Sequence, residues 1–262
     1  MKFMKEESKN IKLELGDVSL NKELGIYYID MSPAIIHYKS NLYGGGFDEN
    51  GVPMDKSIDG TIFYFPINIA QYGFILHAHY LKNKCEKTLI TLKSCVNKLE
   101  ELKTTKDNYC VWLHKQYNYR YNIKPPWPSA MAQGELISLY LRAYQLFENE
   151  SYLDTAKKAY KFLELDVEEG GVKKIDENGY LWYEEYPSKP SSYVLNGFIY
   201  TIFGLYDLFR ITNNKSVKKN IDLCINTLKN NIHKYDAGFW SRYDLLKKEL
   251  VRYYYQKNVH VP

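Results

Sequence analysis

Two adjacent carboxylates and a tyrosine, followed by two prolines, stand just ahead of an apolar helical stretch. Residues 181–198 read LWYEEYPSKPSSYVLNGF, in which Glu185 and Tyr186 directly precede Pro187. Pro187 and Pro190 each fix φ near about −65° and favour extended backbone at the preceding residue. This segment therefore holds carboxyl and phenol groups stiffly at a loop–helix junction, which is a suitable place for proton transfer.

A structural interpretation of the same segment is also open. Ser191 or Ser192 would cap the following helix through its hydroxyl group, and Tyr186 would be buried in the core. Under this interpretation the motif starts a helix and carries no chemistry.

Arginine is scarce in this chain and its positions are informative. Only five of the 35 basic residues are arginine, and three of the five directly precede a tyrosine, at Arg120, Arg242 and Arg252. A guanidinium group binds a carboxylate through two parallel hydrogen bonds and lowers the pKa of a nearby phenol. These pairs are therefore candidates for binding an anionic substrate.

The composition favours one large domain, or one domain with a small appendage. The chain has 262 residues, 45% of them apolar, and a net charge of +4 that is scattered along lysine- and glutamate-rich stretches. That distribution does not indicate a nucleic-acid surface. The sequence contains neither an integral membrane segment nor the apolar run of a signal peptide, so the expected location is the cytoplasm.

Neither a metal site nor a disulfide framework is expected. The four cysteines, at positions 85, 95, 110 and 224, are widely spaced and include no Cys-x-x-Cys pair. His77 and His79 are two residues apart on a predicted helix, where side chains point to different faces. No glycine-rich loop follows a predicted strand to hold a nucleotide, so no cofactor is expected.

The pattern of apolar residues predicts a mainly α-helical fold. Residues 1–60 are rich in strand and turn signals and predict an N-terminal strand and loop arm, followed by an α-helical domain over 61–262. Helices are predicted at 66–82, 84–104, 130–148, 151–165, 192–211 and 216–232. Those at 130–148 and 192–211 are apolar around most of their circumference, whereas 84–104 and 151–165 have a charged face. Alternating inner and outer helices predict an incomplete α/α barrel, or toroid.

Two further segments are predicted to lie in the loops at one rim of this toroid. Residues 172–184, with Glu177-Asn178-Gly179 at the centre, predict a β-hairpin. Residues 238–245 predict a second loop that contains a strand. Rim loops of a toroid converge on a central cleft, so the two segments are expected to share one site.

Four segments of the chain resemble, in the same order, the C-terminal catalytic region of the glucuronyl C5-epimerases. They are residues 64–73 (YFPINIAQYG), 126–134 (PWPSAMAQG), 183–197 (YEEYPSKPSSYVLNG) with its continuation 204–208 (GLYDL), and 241–245 (SRYDL). The resemblance implies an incomplete α/α barrel, and a cofactor-independent isomerase that converts glucuronate to iduronate in a glycan. The implied partner is a uronate-containing oligosaccharide or polysaccharide, and a homodimer is an open alternative for the assembly.

The resemblance also implies catalytic residues. The carboxylate and tyrosine of the Glu-Glu-Tyr-Pro motif fall on Glu185 and Tyr186, and the tyrosine of the Tyr-Asp-Leu motif falls on Tyr243. A further family tyrosine falls within residues 253–255, and Tyr255 is the preferred match because it lies nearest to His260. Its spacing to His260 is one residue longer than in the family.

Candidate substrate-binding residues lie in or beside the matching segments: Arg242, Arg252, Trp127, Gln133, Asn196 and Tyr72. The animal enzymes have an arginine where Leu246 stands here, so Arg242 or Arg252 is expected to bind the substrate carboxylate instead. Trp127 is interpreted either as a platform for a sugar ring or as a core residue, and Gln133 and Asn196 either as sugar ligands or as buried amides.

The chemistry requires two proton-transfer groups and one group that neutralises the carboxylate. Inversion at C5 removes a proton next to a carboxylate and returns one on the opposite face, through an intermediate that needs stabilised negative charge. We expect Tyr186 to face the sugar and Glu185 to hold a neighbouring arginine or tyrosine. The alternatives are a uronate lyase, which shares the first step, and a noncatalytic glycan-binding protein of the same fold.

Overall fold

The computed structural model describes residues 14–34, 44–57 and 59–251. Within these ranges, six α-helices form three antiparallel pairs: α1 (Pro66–Asn83) with α2 (Glu86–Leu102), α3 (Ala130–Phe147) with α4 (Glu150–Leu163), and α5 (Leu195–Thr212) with α6 (Lys215–Asn231). They match the six predicted helices to within three residues at each end. The mainly α-helical prediction is confirmed.

The odd-numbered helices form the inner layer. Helix α3 packs on α1 and α5, while α2, α4 and α6 each cover the outside of their own pair. Two glycines allow α3 and α5 to pack closely. A Cβ atom on Gly134 of α3 would meet the backbone of Thr201, and one on Gly204 of α5 would meet the backbone of Gly134. The described helices thus form the predicted incomplete α/α barrel, with three helix pairs.

Most helix starts follow from local sequence. Pro66 is the first residue of α1, a position where its missing N–H costs nothing. Ser129 caps α3 by accepting a hydrogen bond from the Ala132 amide at 3.3 Å. The predicted serine cap of α5 is wrong: the helix begins after Val194, because the Ser192 hydroxyl instead donates to Glu184 Oε2 at 2.7 Å.

The described part of the chain also contains nine short strands. They are β1 (Glu14–Leu15), β2 (Ile29–Asp30), β3 (Gly46–Phe47), β4 (Pro53–Lys56), β5 (Ile62–Phe63), β6 (Thr104–Lys106), β7 (Tyr109–Val111), β8 (Lys173–Ile175) and β9 (Leu181–Tyr183). Strands β8 and β9 form the predicted antiparallel hairpin, and Gly179 in its turn has a φ of 81°. The hairpin β6–β7 was not predicted.

The described part of the N-terminal arm packs into the core. Tyr27 stacks on Phe74 of α1 with ring centres 3.8 Å apart. Tyr28 donates a 2.6 Å hydrogen bond to Asp207 of α5, and the same buried carboxylate forms a 2.6 Å ion pair with Arg142 of α3. A buried polar cluster therefore joins the arm to two inner helices.

Candidate active site

The loop after β9 carries two neighbouring buried carboxyl groups with different surroundings. Glu184 accepts hydrogen bonds from the Ser192 hydroxyl at 2.7 Å and from the Tyr193 amide at 3.2 Å. Burial raises the pKa of Glu184 to about 7, and these hydrogen bonds oppose the shift. Glu184 thus ties the loop to the segment that leads into α5.

Glu185 is 3% exposed and lies in a different environment. Its side chain packs on α5 at Gly197, where an added Cβ atom would overlap the carboxyl group. Burial raises the pKa of Glu185 to about 7, while side-chain hydrogen bonds with Tyr186 and Tyr243 and the charge of Arg120 lower it. One carboxyl group is therefore shared by two phenols.

Arg120 lies near the Glu185 carboxyl group and beside Tyr243. Its guanidinium carbon is 4.6 Å from the centre of the Tyr243 ring, and Nη2 pairs with Asp244 at 3.2 Å and with Glu249 at 2.9 Å. Arg120 Nε donates to the Tyr121 hydroxyl at 3.1 Å. The side chain keeps 38% of its surface exposed, so an anionic ligand can reach it.

The loop that carries Tyr243 is fixed at both sides. The Tyr243 carbonyl accepts from the Leu195 amide of α5 at 3.2 Å, and the Tyr243 amide donates to the Glu249 carbonyl at 2.8 Å. The fully buried Asp244 carboxylate accepts from the Tyr121 hydroxyl at 2.8 Å. Residues 238–245 therefore bring Tyr243 and Asp244 to the neighbourhood of Glu185, and they contain isolated bridges rather than the predicted strand.

Three rings pack on or near the Tyr186 ring. Tyr121 stacks on Tyr186 with ring centres 4.8 Å apart. The centre of the Trp127 ring lies 5.6 Å from that of Tyr186, and the His114 ring lies 4.3 Å from Trp127. Burial lowers the pKa of His114 to about 3, so its ring is neutral at ordinary pH. These rings fix the plane of the Tyr186 phenol.

The inner helices α3 and α5 carry two further polar residues near Glu185. Asn196 of α5 points its amide at Met131 Sδ of α3, 3.9 Å away. One turn further along α3, Glu135 is fully buried and accepts a 3.0 Å hydrogen bond from Gln71 of α1. Burial first, and then the charge of Glu185, raise the pKa of Glu135 well above its usual range.

The structure brings several of the predicted residues together and leaves others apart. Glu185, Tyr186 and Tyr243 form one cluster, with Trp127 beside it. Asn196 lies next to Gly197, on which Glu185 packs. Arg252 and Tyr255 lie outside the described residues.

Three other predicted substrate-binding residues are not brought to this cluster by the contacts observed. The Gln133 amide is fully buried and donates to the Cys110 and Ala159 carbonyls at 3.0 and 3.2 Å, on the side of α3 that faces α4. Tyr72 packs on Phe47 and lines a cavity of about 640 Å³ beside α2. The backbone of Arg242 bridges to Leu250. Their proposed roles in binding stay predictions.

The sequence did not indicate a place in this cluster for Tyr121, Glu135 or Asp244. It predicts Arg120 as one of three arginines that could bind an anion, but does not place it beside Glu185, because residues 120–121 lie outside the matching segments. Glu135 directly follows one matching segment and Asp244 lies within another, yet nothing in their types indicated burial.

The described residues contain no group of three or more His, Cys, Asp or Glu side chains placed to hold a metal ion. Within the same ranges, no helix has the length and apolar character needed to cross a membrane.

An incomplete α/α barrel with a carboxyl–phenol–guanidinium cluster at its rim defines a protein suited to proton transfer on an anionic ligand. Residues 105–260 match the family model described as D-glucuronyl C5-epimerase C-terminus. The chain belongs to this family.

Two individual proteins are similar to this chain. The chain is 39% identical over 135 residues to the D-glucuronyl C5-epimerase of Caenorhabditis elegans, an alignment that covers 47% of this chain and 22% of the relative. It is 32% identical over 182 residues to an uncharacterised protein of Methanocaldococcus jannaschii, covering 67% of this chain and 58% of the relative. The chain thus spans less than two thirds of the length of each relative.

One solved structure with a similar chain path is cellobiose 2-epimerase from Bacillus thermoamylovorans. The TM-score is 0.49 and the sequence identity is 16%, over 79% of this chain and 55% of that one.

Proposed function

We propose that this chain inverts C5 of D-glucuronate residues in a glycan to give L-iduronate, without a cofactor. The observation that carries the proposal is the sharing of the buried Glu185 carboxyl group by Tyr186 and Tyr243, next to the guanidinium group of Arg120. Family membership supports the same reaction class.

The proposed cycle uses the two phenols on opposite faces of the sugar. Tyr186 takes the proton from C5 as its own hydroxyl proton passes to ionised Glu185. Tyr243 then gives its hydroxyl proton to the other face of C5 and recovers a proton from Glu185. The C5–H bond that breaks is replaced by one that forms, and all three groups return to their starting protonation states.

The pKa of Glu185 suits this role. A group that accepts a proton and returns it works best when its pKa lies near the working pH. Burial brings the pKa of Glu185 to about 7, whereas an ordinary glutamate would be too weak a base to accept a phenol proton at neutral pH.

Arg120 is proposed to neutralise the substrate carboxylate. Removal of the C5 proton places extra negative charge on that carboxylate, and a fixed cation stabilises this charge as it develops. Arg120 is held by Asp244 and Glu249 beside the Tyr243 ring and remains partly exposed. In this proposal it takes the role that the sequence alone assigned to Arg242 or Arg252.

Two alternative outcomes are separated by one experiment. The purified chain is incubated with a glucuronate polymer in D2O and followed by proton NMR. Deuterium at C5 together with iduronate signals supports an epimerase, whereas an unsaturated sugar that absorbs ultraviolet light identifies a lyase. Binding of the polymer without any C5 exchange would contradict the proposal and identify a noncatalytic glycan-binding protein.

A further inference from the structure

Another buried carboxyl group lies within the electrostatic influence of Glu185. Glu135 is on the inner helix α3 and is fully buried. Its Oε1 atom accepts a 3.0 Å hydrogen bond from Gln71 Nε2. Its Oε2 atom is buried and has no hydrogen-bond partner among the described residues. The proposed reaction, as written above, does not use this group.

Among the described residues, no lysine or arginine pairs with Glu135. Within residues 14–34, 44–57 and 59–251, the ion pairs of arginine and lysine involve other carboxylates, and Glu135 forms none. A buried carboxylate without a cation loses its hydration and gains little in return, so the protonated acid is the stable form. Burial and the charge of Glu185 both act in this direction.

The neighbours of Glu135 come from three elements. Gln71 of α1 donates to it, Glu185 of the β9–α5 loop repels its charged form, and Tyr27 of the N-terminal arm lies within electrostatic range. Of these, Glu185 is the one group that ionises near neutral pH and can accept a strong hydrogen bond. Glu185 Oε2 is likewise buried without a hydrogen-bond partner among the described residues.

We propose that Glu135 is a permanently protonated carboxylic acid that donates a hydrogen bond from Oε2 to the ionised Glu185 carboxylate. The inference rests on the proposed function of Glu185. Gln71 holds the Glu135 Oε1 atom in place, which leaves Oε2 as the donor, and Glu185 Oε2 is the acceptor that lacks another partner among the described residues. Glu135 is thus a positioning residue, which acts on the substrate through Glu185.

The role of this donor follows from the demands of the reaction. Glu185 must be ionised to accept a phenol proton, yet burial disfavours its charge. A neutral acid supplies a hydrogen bond to the charged form and adds no negative charge that would repel an anionic sugar. This is the same physical device as a carboxylic acid that is kept neutral by an apolar site so that it can donate.

The first test needs no substrate. Infrared spectra of the folded chain at about pH 8, where ordinary carboxyl groups are ionised, should retain the carbonyl absorption of a protonated carboxylic acid. Glu135→Gln should remove that absorption, whereas Glu185→Gln should leave most of it. If wild type and Glu135→Gln give the same spectrum in this region, Glu135 is ionised and the inference is wrong.

The second test follows the pH profile of C5 exchange. Removing the donor with Glu135→Leu should raise the pKa of Glu185 and move the acid limb of the profile to higher pH by about one unit. Glu135→Gln keeps a donor and should leave the acid limb near its original position. A shift to lower pH in Glu135→Gln would show that a negative charge had been removed, and an unmoved limb in Glu135→Leu would show that Glu135 does not act on Glu185.

Failure of this inference is distinguishable from failure of the proposed function. If the wild-type chain exchanges C5 hydrogen but lacks the infrared absorption, the proposed function holds and the inference about Glu135 is wrong. Wild-type chain that shows the absorption but exchanges no C5 hydrogen retains the protonated Glu135 and loses the role that we assign to it.

Discussion

The guanidinium carbon of Arg120 lies 4.6 Å from the centre of the Tyr243 ring, although the two residues are 123 positions apart in the sequence. A cation over the face of an aromatic ring is attracted to it by roughly 0.5–2 kcal/mol. The contact also brings a fixed positive charge beside a phenol and near the Glu185 carboxyl group. It connects the loop before α3 with the loop after α6.

Arg120 should matter more than Arg242 for exchange at C5. We expect Arg120→Gln to lower kcat/KM by at least about 100-fold, because it removes the charge that stabilises the intermediate. The matched variant Arg242→Gln, from a residue whose backbone bridges to Leu250, should have a smaller effect. Steady-state kinetics on a glucuronate polymer measure both. The reverse order would assign carboxylate binding to Arg242.

The hydroxyl groups of Tyr186 and Tyr243 should both be required. Tyr186→Phe and Tyr243→Phe each remove one proton-transfer group, and we expect each to reduce C5 exchange by about 100-fold or more. Tyr160→Phe is the matched control, because its hydroxyl accepts from Asn220 between the outer helices α4 and α6. Deuterium incorporation measured by NMR is the readout. Near wild-type exchange in either site variant would remove that tyrosine from the mechanism.

The two adjacent glutamates should have different roles, Glu185 in C5 exchange and Glu184 in stability. Glu185→Gln should abolish the acid limb near pH 7 and reduce exchange strongly, because it removes the group shared by both phenols. Glu184→Gln weakens the hydrogen bonds to Ser192 and Tyr193 and should lower the melting temperature more than it changes the shape of the pH profile. An unchanged profile in Glu185→Gln would exclude Glu185 as the titrating group.

The pKa of Glu185 also predicts how stability depends on pH. Its folded-state pKa of about 7 lies above the ordinary value of 4.5. The contribution of this group to the free energy of unfolding is therefore fully present below about pH 4.5. That contribution is lost as the pH rises through about 7, because the unfolded chain ionises first. Glu185→Gln should therefore stabilise the chain at about pH 8 by up to roughly 3 kcal/mol, since one pKa unit corresponds to about 1.4 kcal/mol.

Urea unfolding at about pH 4.5 and pH 8 measures this change. The free energy of unfolding of Glu185→Gln should match wild type at the lower pH and exceed it at the higher pH. Equal stability of wild type and Glu185→Gln at both pH values would mean that Glu185 has an ordinary pKa.

Gly197 should be required for the position of Glu185. A Cβ atom on Gly197 would overlap the Glu185 carboxyl group, so Gly197→Ala should reduce C5 exchange even though alanine favours a helix by about 1 kcal/mol. Gly73→Ala is the control, since its Cβ would meet only the flexible end of Leu139. Full exchange in Gly197→Ala, with an unchanged circular dichroism spectrum, would show that Glu185 need not occupy this position.

The fold was largely predictable because its signals are local. Apolar periodicity predicted all six helices, and the Asn178-Gly179 turn predicted the hairpin β8–β9. The start of α5 was missed because the obvious caps, Ser191 and Ser192, have a competing partner in Glu184, eight residues away from Ser192. A cap is predicted from its own helix, whereas this competitor lies in the preceding loop.

The sequence by itself was enough to propose Glu185, Tyr186 and Tyr243 as catalytic residues. Short motifs show which residue types are present, and the prolines indicate that the backbone beside them is stiff. Only the tertiary structure joined them at one carboxyl group, added Arg120 from a loop outside the matching segments, and turned the Gln133 amide toward backbone carbonyls. Only packing also showed that Glu135 is buried and forms no ion pair within the part of the chain that the structure describes. The physical reason is that pKa, charge pairing and burial depend on neighbours distant in sequence, which the packing of the inner helices and their rim loops selects.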